Sequence, residues 1–66
     1  MKVDNERKQE FIKKLSIETP LSPDDSEYLV KYIDSNGNLD TAEQIYEKEG
    51  LGSLIGYKQL LVAAGF

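Results

Sequence analysis

The side chains that most often perform nucleophilic or acid–base catalysis are largely missing from this sequence. It contains no His and no Cys, and no serine has a plausible general base beside it. The carboxylates of Asp24, Asp25 and Glu27 follow Ser22-Pro23 at a predicted helix start, where negative charge stabilises the helix dipole. We therefore expect a protein that is not an enzyme and that binds no cofactor.

A run of oxygen-bearing side chains between two predicted helices is the second set of residues that could bind a ligand. Asp34, Asn36 and Asn38 fall at alternate positions, and Asp40 and Glu43 follow them. The run resembles the calcium-binding loop of EF-hand proteins, which implies a calcium site here. The glycine of that loop's sharp turn, and the residue after it, have no counterpart in this sequence. A turn rich in Asn, Asp, Ser and Gly also suits any helix-to-helix connection, so whether this loop binds calcium stays open.

A third pattern concerns nucleic acids. The segment TAEQIYEKEGL, residues 41–51, resembles the first helix and turn of a helix-turn-helix motif. The resemblance implies a nucleic-acid-binding protein, in which the next helix is the recognition helix and Lys58 is its basic group. The basic first helix would add contacts to phosphates. We keep this function as the alternative.

The distribution of charge favours a protein partner over a nucleic acid. The net charge is −4 over 66 residues. Residues 1–15 carry an excess of basic groups, whereas residues 16–49 hold most of the acidic side chains and few basic ones. An acidic middle segment repels a phosphate backbone. It can keep a small protein soluble, bind a basic partner, or mimic a nucleic acid.

The elements that must position these residues are all predicted to be helices. Apolar residues recur at helical spacing, and no segment shows the period-two alternation of a strand. The predicted helices cover residues 5–16, residues 22–34, residues 40–50 and residues 53–64. Ser22 is expected to cap the second helix, and Asp40 with Glu43 to form a capping box for the third. We predict one all-α domain over residues 1–66, a compact bundle of three to four short helices, with residues 1–4 frayed.

The C-terminal helix is the most hydrophobic element. Its apolar residues surround almost the whole circumference, so we place it at the centre of the bundle. Three short helices can hardly cover every side of it, and a domain this small has a thin stability margin. We therefore predict that Val62 and Phe66 mediate self-association into a homodimer or another homo-oligomer.

These observations together favour a small non-enzymatic protein–protein interaction module, a regulator or adaptor with an acidic surface. The predicted partner-binding residues combine carboxylates and rings on the second helix: Asp24, Asp25, Glu27, Tyr28 and Tyr32. The N-terminus is charged from its second residue and lacks the apolar stretch of a signal peptide. No apolar run is long enough to span a bilayer. We expect a cytoplasmic protein with no membrane contact.

Overall fold

Four α-helices make up the fold. The computed structural model describes residues 4–64, and no strand occurs in this range. The helices are α1 (Asp4–Glu18), α2 (Pro23–Asn36), α3 (Leu39–Glu49) and α4 (Leu51–Ala63). The prediction of a small all-α bundle is confirmed. Asp4 belongs to α1. Residues 1–3 lie outside the described range, so the predicted fraying of residues 1–4 stays a prediction.

The helix starts follow from their capping residues. Ser22 has extended backbone angles, and its Oγ accepts a hydrogen bond from the Asp25 amide at 3.1 Å, as predicted for α2. The capping box predicted for Asp40 and Glu43 is wrong. Asn38 caps α3 instead, because its Oδ1 accepts from the Thr41 amide at 3.0 Å. The helix therefore begins one residue earlier than the charge pattern indicates.

The connection between α3 and α4 is a single residue. Gly50 ends α3 as predicted, and its φ of 95° lies in the left-handed region that favours glycine. The same residue precedes α4, which begins at Leu51 rather than at Ser53 as predicted. With this single residue between them, α3 and α4 pack directly against each other.

The central helix is α2, and the prediction that α4 occupies the centre is wrong. α2 packs against each of the other three helices. It also contributes more buried residues than any other helix. These are Ser26, Leu29, Val30 and Ile33. α4 has Leu54 as its only buried residue among those described, because it packs mainly on one side, against α2 and α3. The apolar side chains of α4 surround more of the helix than two neighbouring helices can cover.

The core joins side chains from all four helices. Leu15, Val30, Ile33, Ala42 and Leu54 are fully buried, and truncation of either leucine or of Ile33 to Ala is expected to cost about 2–5 kcal/mol. Among the described residues, no helix combines the length and the hydropathy that crossing a membrane requires.

The α2–α3 turn packs closely against α4 and is hydrogen-bonded to it. Only Gly37 and Asn38 separate the two helices. The Tyr57 hydroxyl accepts a hydrogen bond from the Asn38 amide at 3.0 Å. A Cβ atom on Gly37 would lie 2.7 Å from Leu61 Cδ1 and 2.8 Å from the Tyr57 hydroxyl. Any larger residue at position 37 would therefore force the Leu61 and Tyr57 side chains of α4 to move.

Candidate functional site

The outward side of α2 carries all five residues predicted to bind a partner. The buried residues of α2 lie on one side of the helix, and helical spacing puts positions 24, 25, 27, 28 and 32 on the other. Among these, Asp24 and Asp25 are exposed, whereas Glu27 and Tyr32 are half-buried. We call this surface the α2 face: Asp24, Asp25, Glu27, Tyr28 and Tyr32.

The acidic groups of the α2 face lie near the positive end of the helix. Asp24 and Asp25 occupy the first turn, where their charge also stabilises the helix dipole. Glu27 Oε2 lies 2.8 Å from Lys31 Nζ, one turn further along. An exposed pair at this spacing contributes only about 0.3–0.5 kcal/mol, so Glu27 can exchange Lys31 for another cation at little cost.

The aromatic part of the α2 face is a pair of tyrosine rings. Tyr28 is 61% exposed, and its ring centre lies 6.1 Å from that of Tyr32 at an interplanar angle of 43°. Lys58 of α4 extends over both rings, with its Nζ 5.4 Å from the centre of Tyr28 and 5.6 Å from that of Tyr32. The face therefore already holds one cation, supplied by the protein itself.

Three of the four basic groups of α1 are paired with carboxylates of α2 and α3, and the fourth, Lys13, is exposed. Arg7 bonds both Asp40 and Glu43, Lys8 Nζ lies 3.3 Å from Asp34, and Lys14 Nζ lies 3.9 Å from Glu47. A cation that is already paired gains less from a phosphate than a free one. This arrangement argues against the alternative in which α1 binds a nucleic-acid backbone.

The α3–α4 pair also differs from a helix-turn-helix. Its connection is Gly50 alone, whereas the turn of that motif has three or four residues. Lys58, the basic group of the would-be recognition helix, is half-buried over the rings of α2. A base-reading role for Lys58 would need this contact to break.

The EF-hand-like segment is not an open loop. α2 continues through Asn36, whose side-chain amide donates to the Tyr32 carbonyl at 3.1 Å. Asp34, Asp40 and Glu43 each bond a cation of α1. Within residues 4–64, no group of three or more acidic side chains is placed to hold a metal ion. The carboxylates that resemble calcium ligands in sequence instead hold α1 against its neighbours.

A groove between α1 and α3 was not anticipated from the sequence. It is open, has a volume of about 520 Å³ and is lined in part by Lys14, Glu18, Tyr46 and Leu51. The Tyr46 hydroxyl donates to Glu18 Oε1 at 2.9 Å. Burial raises the pKa of Tyr46 above 10.0, and the hydrogen bond to Glu18 and its charge raise it further. Two of the polar groups that line the groove thus bond each other.

The end of α4 is uncovered. Leu60 is 69% and Val62 is 45% exposed, and Ala63 and Ala64 are exposed beside them. The exposure of Val62 fits its predicted role in self-association, but does not test that role. Phe66, the other residue of that prediction, lies outside the described range.

No protein-family model matches the chain, and no curated protein or solved structure shows significant similarity to it. The surfaces of the fold are therefore the only indication of function. Of these, the α2 face presents an exposed tyrosine ring, a residue type enriched at protein interfaces, beside exposed carboxylates.

Proposed function

We propose that this chain is a small non-enzymatic protein–protein interaction module, a cytoplasmic regulator or adaptor that binds a basic partner protein through the α2 face. The observation that carries the proposal is the position of Tyr28. Its ring is 61% exposed and lies on the same outward side as the carboxylates of Asp24, Asp25 and Glu27. A large ring costs little conformational entropy to immobilise at an interface, and tyrosine is enriched where binding energy concentrates.

The charge of the α2 face supports a basic partner. Three of the four cations of α1 are paired within the fold, whereas Asp24 and Asp25 extend into solvent at the start of α2. The three carboxylates of the α2 face outnumber the two lysines beside it, Lys31 and Lys58, so the net charge of this surface is negative. Opposite charge on a partner accelerates encounter and fixes the orientation of the complex, so the affinity is expected to fall as salt rises.

The proposal is tested by capture from a nuclease-treated lysate of the source organism. Tagged wild-type protein is compared with a variant that neutralises the α2 face, carrying Asp24→Asn, Asp25→Asn and Glu27→Gln. We expect the wild type to retain a basic protein that the variant does not. Circular dichroism must show that the variant is folded, because Asp24 and Asp25 also stabilise the start of α2.

A matched control removes the same charge elsewhere. Glu10, Glu47 and Glu49 are exposed on α1 and α3, and their replacement by Gln should leave capture unchanged. Equal loss with both variants would mean that net charge, not the α2 face, governs binding. Capture that disappears on nuclease treatment would favour the nucleic-acid alternative.

Self-association through the end of α4 is a second part of the proposal, supported by the exposure of Leu60 and Val62. Val62→Asp, or Phe66→Asp at the chain end, is expected to lower the mass measured by light scattering at high protein concentration. The exposed Gln59 on the same helix provides the control, Gln59→Asp. A wild-type protein that is monomeric at every concentration would refute self-association.

A further inference from the structure

Lys58 occupies an unusual position for the basic residue of an apolar helix. It is the only charged side chain of α4, and its ammonium lies within 6 Å of two ring centres, 5.4 Å from Tyr28 and 5.6 Å from Tyr32. This is the distance range in which a cation is attracted by an aromatic face. The two rings thus form a surface on which a positive charge is stable.

The contact between Lys58 and the rings is easily broken. Tyr28 is largely exposed and Lys58 is half-buried, so water competes for both. A cation–π contact at an exposed site is weak, and the long lysine side chain has many other conformations available. A second cation of better geometry can therefore replace the ammonium.

We propose that the Tyr28–Tyr32 ring pair binds an arginine side chain of the partner protein, and that Lys58 covers this site in the free protein as an internal competitor. The inference rests on the proposed function, because it names the group that a basic partner inserts into the α2 face. It also assigns Lys58 a role in setting affinity.

Helical spacing explains why arginine fits this site better than lysine. Asp24, Tyr28 and Tyr32 follow one another at intervals of four residues, which places them in a row along the helix. A planar guanidinium can stack on the Tyr28 ring while its N–H groups donate to the Asp24 carboxylate one turn away. An ammonium is a compact, strongly hydrated charge and cannot make the same stacked, forked contact.

Competition from Lys58 lowers the apparent affinity of the free protein. Only the fraction of molecules in which Lys58 has left the rings can bind the arginine, so the measured Kd is raised by the reciprocal of that fraction. Replacing Lys58 with an uncharged residue of similar length removes the competitor. The ring pair itself is unchanged by this replacement.

The test uses an acetylated and amidated peptide of alternating Arg and Ala, titrated at low salt and followed by the NMR signals of the tyrosine rings. Lys58→Met is expected to bind it about two- to five-fold more tightly than the wild type, the factor that an exposed cation–π contact represents. Tyr28→Leu should lose most of the binding, and Tyr28→Phe should retain it. A peptide with Lys in place of Arg should bind more weakly.

Lys13→Met is the matched control, because Lys13 is exposed on α1 and its loss changes the net charge equally. An equal gain in Lys58→Met and Lys13→Met would overturn the role of Lys58. Binding that is insensitive to Tyr28→Leu but lost on neutralising Asp24, Asp25 and Glu27 would overturn the ring site and leave the proposed function standing. Absence of binding in every variant would also overturn the ring site, while capture of a basic protein would still decide the proposed function.

Discussion

Arg7 of α1 and Glu43 of α3 are 36 residues apart in sequence and are joined side by side in the fold. Arg7 Nε lies 3.1 and 3.2 Å from the two Glu43 carboxylate oxygens, and Nη2 lies 2.6 Å from Oε1. Nη2 also donates to Asp40. The basic first helix therefore neutralises part of the acidic middle of the chain. Asp24 and Asp25, which form no ion pair with another described residue, mark a different surface.

Removing this network should weaken the attachment of α1. For Arg7→Met we expect a loss of about 1 kcal/mol in the free energy of unfolding, since Arg7 is partly exposed and solvent screens its pairs. Urea denaturation at low and high salt provides the measurement. The difference from wild type should shrink as salt rises. A difference independent of salt would show that the arginine contributes through packing of its stem.

Two glycines should respond to alanine in opposite directions. Gly37→Ala would press a Cβ against Leu61 and Tyr57, and we expect it to cost about 1–3 kcal/mol. Gly56→Ala in α4 has no atom within 4 Å of the new Cβ and should stabilise the helix by about 0.5–1 kcal/mol. Thermal unfolding of both variants gives the comparison. A Gly37→Ala variant as stable as the wild type would mean that α4 does not pack closely against the α2–α3 turn.

Ser22 and Ser26, one turn apart on α2, are also expected to differ. The Ser22 hydroxyl caps the helix, so Ser22→Ala should cost about 1 kcal/mol. The Ser26 hydroxyl is fully buried without a hydrogen-bond partner among the described residues. Ser26→Ala removes this unsatisfied group and should raise stability by about 1 kcal/mol. Chemical denaturation that shows Ser26→Ala to be destabilising would indicate that the hydroxyl has a partner.

Stability at alkaline pH should depend on Tyr46. Its pKa is raised above 10.0 in the folded protein, chiefly by burial and then by Glu18. Below pH 10 both states keep the proton and the contribution is fully present. As pH rises past this value the unfolded chain loses its proton first, so the free energy of unfolding falls until the folded pKa is passed. Tyr46→Phe should show a shallower fall in urea titrations at rising pH, and parallel curves would refute the assignment.

The sequence was sufficient to predict the all-α class because its local signals agree with the packing. Ser22-Pro23 and Gly50 mark helix ends through the conformations these residues favour, and the structure places the ends there. Such signals act over a few residues and need no knowledge of the rest of the chain.

The parts that the sequence did not predict depend on contacts between distant residues. Asp40 and Glu43 have the spacing of a capping box, yet Arg7 engages both from another helix. The apolar circumference of α4 indicates burial, yet its position depends on how many neighbours the fold supplies. The same holds for the α2 face, since helical spacing groups its five residues but cannot show that Lys58 of another helix reaches Tyr28 and Tyr32.

Site-specific photo-crosslinking at position 28 tests the α2 face most directly. A benzophenone amino acid replaces Tyr28 in one sample and the exposed Gln44 of α3 in another, and both are irradiated in cells of the source organism. We predict a nuclease-resistant crosslink to a basic protein from position 28 and none from position 44. Products at both positions alike, or no product at position 28, would contradict a partner-binding role for the α2 face.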